Sequence, residues 1–198
     1  MKKTLFTGAA AVAISLVSLV PEASAAAGDS IRFPLVRSAG ASCLSYKANG
    51  RVTITDLGPI QNMHVEVTDL PPRTEFTVFL LQVPTKPFGL VWYQGDVDTD
   101  KYGRGAGDFT GIFSKETFIN GPGVASAPQV FPDNATSNPE TAPIQIYHIG
   151  IWFADPGDAA KHGCPATVTP FDGDHEAGIQ VFNTSNFPDG KGPLLRLE

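Results

Sequence analysis

Apolar and polar residues alternate between residues 51 and 68 and predict two amphipathic β-strands. The segments 51–57 and 60–70 each place apolar side chains at every second position, with threonine, histidine or glutamate between them. A period of two buries one face of a strand and leaves the other in water. Gly58-Pro59 separates the two strands. The predicted buried sets are Val52 and Ile54, then Met63, Val65 and Val67.

The segment 74–83 is apolar at consecutive positions and predicts a strand that is covered on both faces. It follows Pro71-Pro72, which cannot donate to a sheet and therefore predicts a corner. Further short strands are predicted over 31–36, 88–93, 109–113, 144–153 and 177–183. Many short strands separated by glycine and proline favour an all-β, antiparallel, immunoglobulin-like β-sandwich.

One short helix is predicted near 155–162. Asp155 suits the N-cap, Pro156 suits the first helical position, and Gly163 suits the position just after the helix. By contrast, the segment 114–143 is rich in proline, glycine and asparagine and has little periodicity. It predicts a long loop, with one short strand near Val130.

The N-terminus predicts export. Lys2 and Lys3 precede the apolar segment 5–20, and Ala23-Ser24-Ala25 resembles a signal-peptidase site. We therefore expect residues 1–25 to be a signal peptide and 26–198 to form a single secreted or periplasmic domain. No transmembrane segment is expected after cleavage.

The charge balance argues against nucleic acid as a partner. The chain has 14 Lys and Arg against 20 Asp and Glu, which gives a formal net charge of −6. Removing the signal peptide makes the charge one unit more negative. Neutralising phosphates requires clustered cations, and the sequence contains no such cluster.

The sequence has two cysteines, Cys43 and Cys164. In an oxidising compartment they are expected to form one disulfide. The alternative is two separate thiols, one of them a metal ligand.

The segment from Arg51 to Phe113 carries a resemblance to known modules. Its residues are Gly50-Arg-Val-Thr-Ile, Leu70-Pro-Pro-Arg-Thr-Glu-Phe-Thr-Val and Asp98-Thr-Asp-Lys-Tyr-Gly-Arg-Gly. It resembles the extracytoplasmic domains of anti-sigma factors and chordin-type domains of exported bacterial proteins. Those modules usually carry Gly in the corner where this chain has Pro72-Arg73. The resemblance implies an immunoglobulin-like fold and implies no activity.

Two polar clusters are candidate metal sites. Asp96, Asp98 and Asp100 alternate and could offer oxygen ligands to Ca²⁺, although the spacing fails the EF-hand pattern and also suits a solvated turn. A later cluster has ligand types suited to Zn²⁺ but lacks a zinc-site spacing. Its members, with His148, are His162, Asp172, Asp174, His175 and Glu176. Apart from these ions no cofactor is expected.

Aromatic residues offer a third candidate, because aromatics on exposed sheet faces can bind sugars or proteins. The pattern favours core positions instead, since both tryptophans lie in apolar segments. The set is Trp92, Tyr93, Tyr147, Trp152 and Phe153. No Gly-x-Ser-x-Gly motif appears, so hydrolysis by a serine nucleophile has no sequence support.

The favoured interpretation is a secreted, non-enzymatic binding or cell-envelope interaction module. Its unknown protein or envelope ligand would contact the loop 114–143 and the region 155–176, since loops on a rigid sandwich often bind. The alternative is a secreted metal-binding protein or metal-dependent hydrolase that uses the later cluster.

Overall fold

The computed structural model describes residues 28–126, 140–171 and 176–197. Eight antiparallel strands form one sheet in the order β5-β4-β9-β10-β1-β2-β3-β6, and β7 pairs with β8 in a separate two-stranded sheet. The prediction of an all-β, antiparallel fold is confirmed. The strands are β1 Ser30–Arg37, β2 Asn49–Asp56, β3 Gln61–Thr68, β4 Glu75–Leu81, β5 Val91–Asp98, β6 Gly105–Gly111, β7 Phe118–Ser126, β8 Glu140–Gln145, β9 His148–Phe153 and β10 Gln180–Asn183.

The sheet curls until its outer strands come into contact, so it is nearly a closed barrel. A Cβ on Gly95 of β5 would lie 2.5 Å from the Phe109 ring of β6, so the glycine permits this approach. The curl is completed by β1, which pairs with β2 over residues 30–35 and with β10 at Val36 and Arg37. One strand thus joins the two halves of the sheet.

The core lies between these two halves, and the predicted alternation of β2 and β3 supplies one side of it. Every predicted inward residue of these two strands is at most 1% exposed. Alternate residues of β4 and β9 supply the other side and join the same apolar cluster. These facing residues are Phe76, Val78, Leu80, Ile149, Ile151 and Phe153.

The helix α1, Pro156–Lys161, confirms the predicted helix. The Asp155 side chain accepts hydrogen bonds from the amides of Gly157 and Asp158, and Gly163 adopts a φ of +75° just after the helix. Two 3₁₀ turns, Ala39–Ala41 and Pro193–Arg196, complete the described helical structure.

Several predicted boundaries are wrong. The strands predicted over 88–93 and 109–113 are Val91–Asp98 and Gly105–Gly111. The segment 144–153 is two strands, because β8 ends at Gln145 and pairs with β7, whereas β9 begins at His148 and pairs with β4 and β10. The segment predicted as the loop 114–143 contains β7 and most of β8. The short strand predicted near Val130 lies outside the described residues.

The corner and turn that carry the resemblance are locked together. The Thr99 hydroxyl donates to the carbonyl of Pro71 at 2.6 Å and accepts from the amide of Thr74 at 3.0 Å. Arg73 adopts a φ of +53°, a conformation in which glycine is least strained. The conformation of the corner and the bonds of Thr99 are therefore backbone chemistry.

Candidate functional site

The outer face of β4 and β9 carries a second, smaller apolar cluster. Trp152 is fully buried there, and the rings of Phe79, Phe88 and Phe171 each lie 5.3 Å from its ring, centroid to centroid. The interplanar angles of 64–84° make these edge-to-face contacts, which aromatic rings prefer. The prediction that the 74–83 strand is covered on both faces is therefore confirmed.

Two features place Trp152 in this cluster. Gly150 precedes it on the same face of β9, and a Cβ there would lie 2.5 Å from the indole ring. The loop between β4 and β5 then folds over the ring. This loop is closed by hydrogen bonds from Val83 to Phe88 and from Gln82 to Leu90, and Phe88 takes a φ of +59° that turns its ring inward.

Beside this cluster lies a cavity of about 550 Å³, which we name the amide–aromatic cleft. Its base is aromatic, and its walls come from the turn after β1, the β4–β5 loop, the segment after α1, and β10. The volume lies within the range typical of small-molecule sites. The lining residues are Arg37, Ser38, Ala39, Gly40, Thr85, Lys86, Phe88, Trp152, Pro165, Thr167, Thr169, Ile179, Gln180, Asn183 and Ser185. A second hollow along Pro87, Val168, Pro170 and Phe171 shares Lys86, Phe88 and Thr169 with it.

Buried amides fix one wall of the cleft. The Gln180 amide nitrogen donates to the Pro84 carbonyl at 3.0 Å, which ties β10 to the β4–β5 loop. The Gln180 oxygen accepts from the Asn183 amide at 2.9 Å and from the Ser38 hydroxyl at 3.2 Å. Gln180 therefore connects three of the elements that surround the cleft.

Trp152 lines the cleft, and its indole nitrogen is buried with no acceptor for the N–H among the described residues. Leaving a buried donor unpaired costs about 1–3 kcal/mol, which makes such a group unusual in a folded protein. A ligand in the cleft that offered an acceptor to this N–H would recover that cost.

The disulfide fastens two walls of the cleft to each other. Cys43 and Cys164 are bonded, as predicted, across 121 positions of the sequence. Gly40 lies three residues before Cys43, and Pro165 directly follows Cys164; both line the cleft. The bond thus holds the turn after β1 against the segment after α1.

A second cavity, of about 480 Å³, lies where the outer strands β5 and β6 diverge. We name it the edge notch. Trp92 of β5, Ile112 after β6 and Phe118 of β7 line it and are each at least 50% exposed. The prediction that Trp92 and Tyr93 are core residues is therefore wrong, since they are 56% and 48% exposed. The sheet is not closed beside Trp92, so its inward-facing ring meets water.

The other predicted aromatics follow the pattern. Trp152 and Phe153 are fully buried, as expected, and Tyr147 is half-buried against the core. Among these five aromatics, Trp92 and Tyr93 of β5 depart from the prediction.

His148, a predicted metal ligand, is a buried structural residue. Its Nε2 donates to the Asp189 carbonyl at 2.8 Å, and its Nδ1 lies 2.9 Å from the Thr184 hydroxyl, which donates to it. Burial lowers the pKa of His148 below its ordinary value, although the Asp189 carbonyl and carboxylate partly oppose this. Both ring nitrogens are thus occupied by protein hydrogen bonds.

The remaining members of the predicted later cluster are not brought together within the described part of the chain. The His162 Nε2 lies 3.2 Å from the Thr74 hydroxyl, and Glu176 is exposed. Asp172, Asp174 and His175 lie outside the described residues. Among residues 28–126, 140–171 and 176–197, no three histidine, cysteine or acidic side chains form a group that could hold a metal.

The predicted acidic turn divides between a strand and a turn. Asp96 and Asp98 belong to β5. The pKa of Glu75 is raised by the burial of Glu75 itself and by the negative charges of Asp96, Asp98 and Asp158. Asp100 instead caps the turn by accepting from the amides of Arg104 and Tyr102, which lowers its pKa. Asp100 thus has the solvated-turn role that the sequence also allowed.

Sequence reasoning identifies few of the cleft residues: Trp152 as an aromatic candidate, and Pro165, Thr167 and Thr169 within the predicted binding region 155–176. It predicts strands over 177–183 and 88–93, but not that Gln180 and Phe88 line a cavity. The sequence does indicate that the apolar outer face of β4 must be buried by other segments. It does not indicate which segments bury it.

The comparisons with protein families and curated proteins give no basis for assigning a function. No protein-family model matches the chain, and no curated protein matches it. In the part of the chain that the structure describes, every helix is too short or too polar to cross a bilayer.

Proposed function

We propose that this chain is an exported, non-enzymatic binding protein that holds its ligand in the amide–aromatic cleft. The observation that carries this proposal is that Trp152, whose buried indole N–H has no described acceptor, lines a cavity of ligand size. Pockets of this kind, mostly apolar with a few placed polar groups, are the usual form of small-molecule sites.

The construction of the cleft supports a binding role because its walls are held in place before any ligand arrives. The Gln180 hydrogen bonds join β10 to two neighbouring loops, and the disulfide joins two further wall segments. Preorganised walls reduce the ordering cost of binding. Part of the predicted binding region 155–176 lines this cleft.

The strand pairing supports an immunoglobulin-like assignment of the fold. Immunoglobulin-like sandwiches pair strands A, B and E in one sheet and C, F and G in the other. Assigning β2, β3 and β6 to A, B and E, and β4, β9 and β10 to C, F and G, reproduces these neighbours. In this assignment β1 is an added strand that connects the two sheets.

The disulfide supports export, because such bonds persist in oxidising compartments and are rare in the cytosol. The signal-like residues 1–25 agree with it. A secreted or periplasmic location is therefore part of the proposal.

The binding proposal is tested with the neutral fluorescent probe N-phenyl-1-naphthylamine and a variant that fills the cleft. Gly40 lines the cleft, and a Cβ built on it meets no atom within 4 Å, so Gly40→Phe has room for its ring. We expect saturable probe fluorescence with residues 26–198 and its loss in Gly40→Phe. Gly190→Phe is the matched control, because a Cβ on Gly190 also meets no atom within 4 Å, and Gly190 does not line the cleft.

Equal probe binding by both glycine variants would overturn the proposal. So would probe fluorescence that disappears in Ile112→Asp, since Ile112 lines the edge notch and not the cleft. Melting temperatures of the three variants identify any that fails to fold.

A further inference from the structure

The side-chain amides of the amide–aromatic cleft have hydrogen-bond donors left over. The oxygen of Gln180 already accepts two bonds, and its nitrogen donates one of its two hydrogens. The Asn183 oxygen accepts from the Ser185 amide, while its nitrogen uses one of two hydrogens on Gln180. The buried N–H of Trp152 is a further donor without a described acceptor.

The charge of the cleft is opposite to that of the chain. Arg37 and Lys86 line it, and no Asp or Glu is among the described residues that line it or the adjoining hollow. Over the whole chain, acidic residues outnumber basic ones by 20 to 14. Arg37 uses one of its nitrogens on the carbonyls of Leu44 and Ser45, which fixes the guanidinium near the rim.

The base of the cleft is apolar. Phe88 and Trp152 line it, and Phe171 lines the adjoining hollow. Phe171 is partly exposed, so an apolar body that covers it would remove apolar surface from water. A ligand that matches both features carries an acidic group at one end and a hydrocarbon or aromatic body at the other.

We propose that the amide–aromatic cleft binds small organic anions, in which a carboxylate, sulfonate or similar group meets Lys86 and Arg37 while an apolar body packs against the aromatic side of the cleft and the adjoining hollow. This inference rests on the proposed binding function and adds the ligand's charge and shape to it. Anionic acceptors form the stronger, charge-assisted hydrogen bonds with such donors.

The test compares two probes that share a ring system. 8-Anilinonaphthalene-1-sulfonate carries a sulfonate, and N-phenyl-1-naphthylamine lacks it. In Lys86→Glu we expect the dissociation constant of the sulfonate to rise roughly three- to tenfold, and that of the neutral probe to change less than about twofold. Lys101→Glu makes the same change of charge in the β5–β6 turn, away from the cleft, and should leave both constants near wild type.

Salt and the tryptophans provide two further readouts. Raising the salt concentration should weaken sulfonate binding but not neutral-probe binding, because salt screens exposed charges. Trp92→Phe leaves Trp152 as the only tryptophan, so quenching of its emission by the sulfonate locates the probe at the cleft. Trp152→Phe keeps an aromatic ring but removes the N–H, and should weaken the sulfonate roughly two- to tenfold.

The outcomes separate the two proposals. If the neutral probe binds in the cleft but Lys86→Glu and salt do not distinguish the probes, the anion proposal is wrong and the binding function stands. If Gly40→Phe affects neither probe, both proposals fail. If Ile112→Asp removes the sulfonate while Gly40→Phe does not, the anion binds at the edge notch and the cleft proposal is overturned.

Discussion

The amide–aromatic cleft and the edge notch have similar volumes, about 550 and about 480 Å³, but their walls differ. The cleft contains Arg37 and Lys86 and no described carboxylate, whereas the notch contains Glu116 and no cation among its described lining residues. The tryptophan of the cleft, Trp152, is fully buried, and that of the notch, Trp92, is 56% exposed.

The difference follows from how each cavity arises. The notch is the gap left where β5 and β6 diverge. Residues beside this gap lack a neighbouring strand on one side. The cleft is made by separate segments that cover a complete sheet and are fastened by Gln180 and the disulfide. Cavities of similar size can thus arise in two ways: where a curled sheet fails to close, or where separate segments fold over a sheet.

Removing the disulfide should produce the largest effect and should act mainly on the cleft. In Cys43→Ala with Cys164→Ala, the free energy of unfolding should fall by up to about 4–5 kcal/mol, because the bond closes a long loop. Urea unfolding measures this loss. Hydrogen exchange should accelerate in residues 37–45 and 160–169 more than in 91–98. Equal acceleration in both regions would break the distinction between a fastened cleft and an independent notch.

Truncating each tryptophan compares the cavities directly. Trp152→Ala should cost about 3–5 kcal/mol, since it opens a cavity among Phe79, Phe88 and Phe171. Trp92→Ala should cost under about 1 kcal/mol, because its ring is already largely in water. Denaturant unfolding with unchanged m-values measures both. Similar losses would mean that Trp92 packs as a core residue after all.

The same contrast shows how far the sequence determines the fold. Some signals are local, or allow only one outcome, and the structure follows them. They are the alternation in β2 and β3, the capping residues of α1 and the pairing of the two cysteines. Leu80 and Trp92 lie opposite each other in the β4–β5 register, yet only Leu80 is buried. Their difference depends on where the curled sheet fails to close, which no local pattern encodes.

The cleft was beyond sequence reasoning for a related reason. The apolar outer face of β4 predicts a cover, but that cover combines Phe88 with Phe171 and Gln180, which lie more than 80 positions later in the chain. Their meeting depends on tertiary contacts such as the bond between Gln180 and Pro84, 96 positions apart. The apolar pattern identifies the strand face that must be buried. Which side chains bury it is decided by tertiary packing.

A pH titration tests whether β9 couples the stability of the two cavities. Ile146, which lines the notch, lies two residues before His148 at the start of β9, and Trp152, which lines the cleft, lies near the end of this strand. Because burial lowers the pKa of His148, the unfolded chain takes up a proton near its ordinary value of about 6.5, before the native chain does. The free energy of unfolding should therefore fall as pH drops below about 6.5 and level off below the native pKa.

His148→Gln should flatten this pH dependence, because it removes the buried imidazole whose pKa is lowered in the native chain. Urea unfolding between pH 8 and pH 5 gives the slopes. An unchanged slope in His148→Gln would assign the pH dependence to other groups. Parallel exchange measurements at Ile146 and Trp152 then show whether both ends of β9 loosen together.

Chelation should have the smallest effect, and it separates the cleft from the predicted metal cluster. His148 would have to give up its bond to Asp189 or Thr184 before it could bind a metal. The cleft depends on amides, aromatic rings and the disulfide, none of which requires one. We therefore expect EDTA to leave the melting temperature and probe binding of residues 26–198 unchanged. Stoichiometric zinc or calcium, measured by elemental analysis and lost with a fall in melting temperature, would instead favour the metal-binding alternative through His162, Asp172, Asp174, His175 or Glu176.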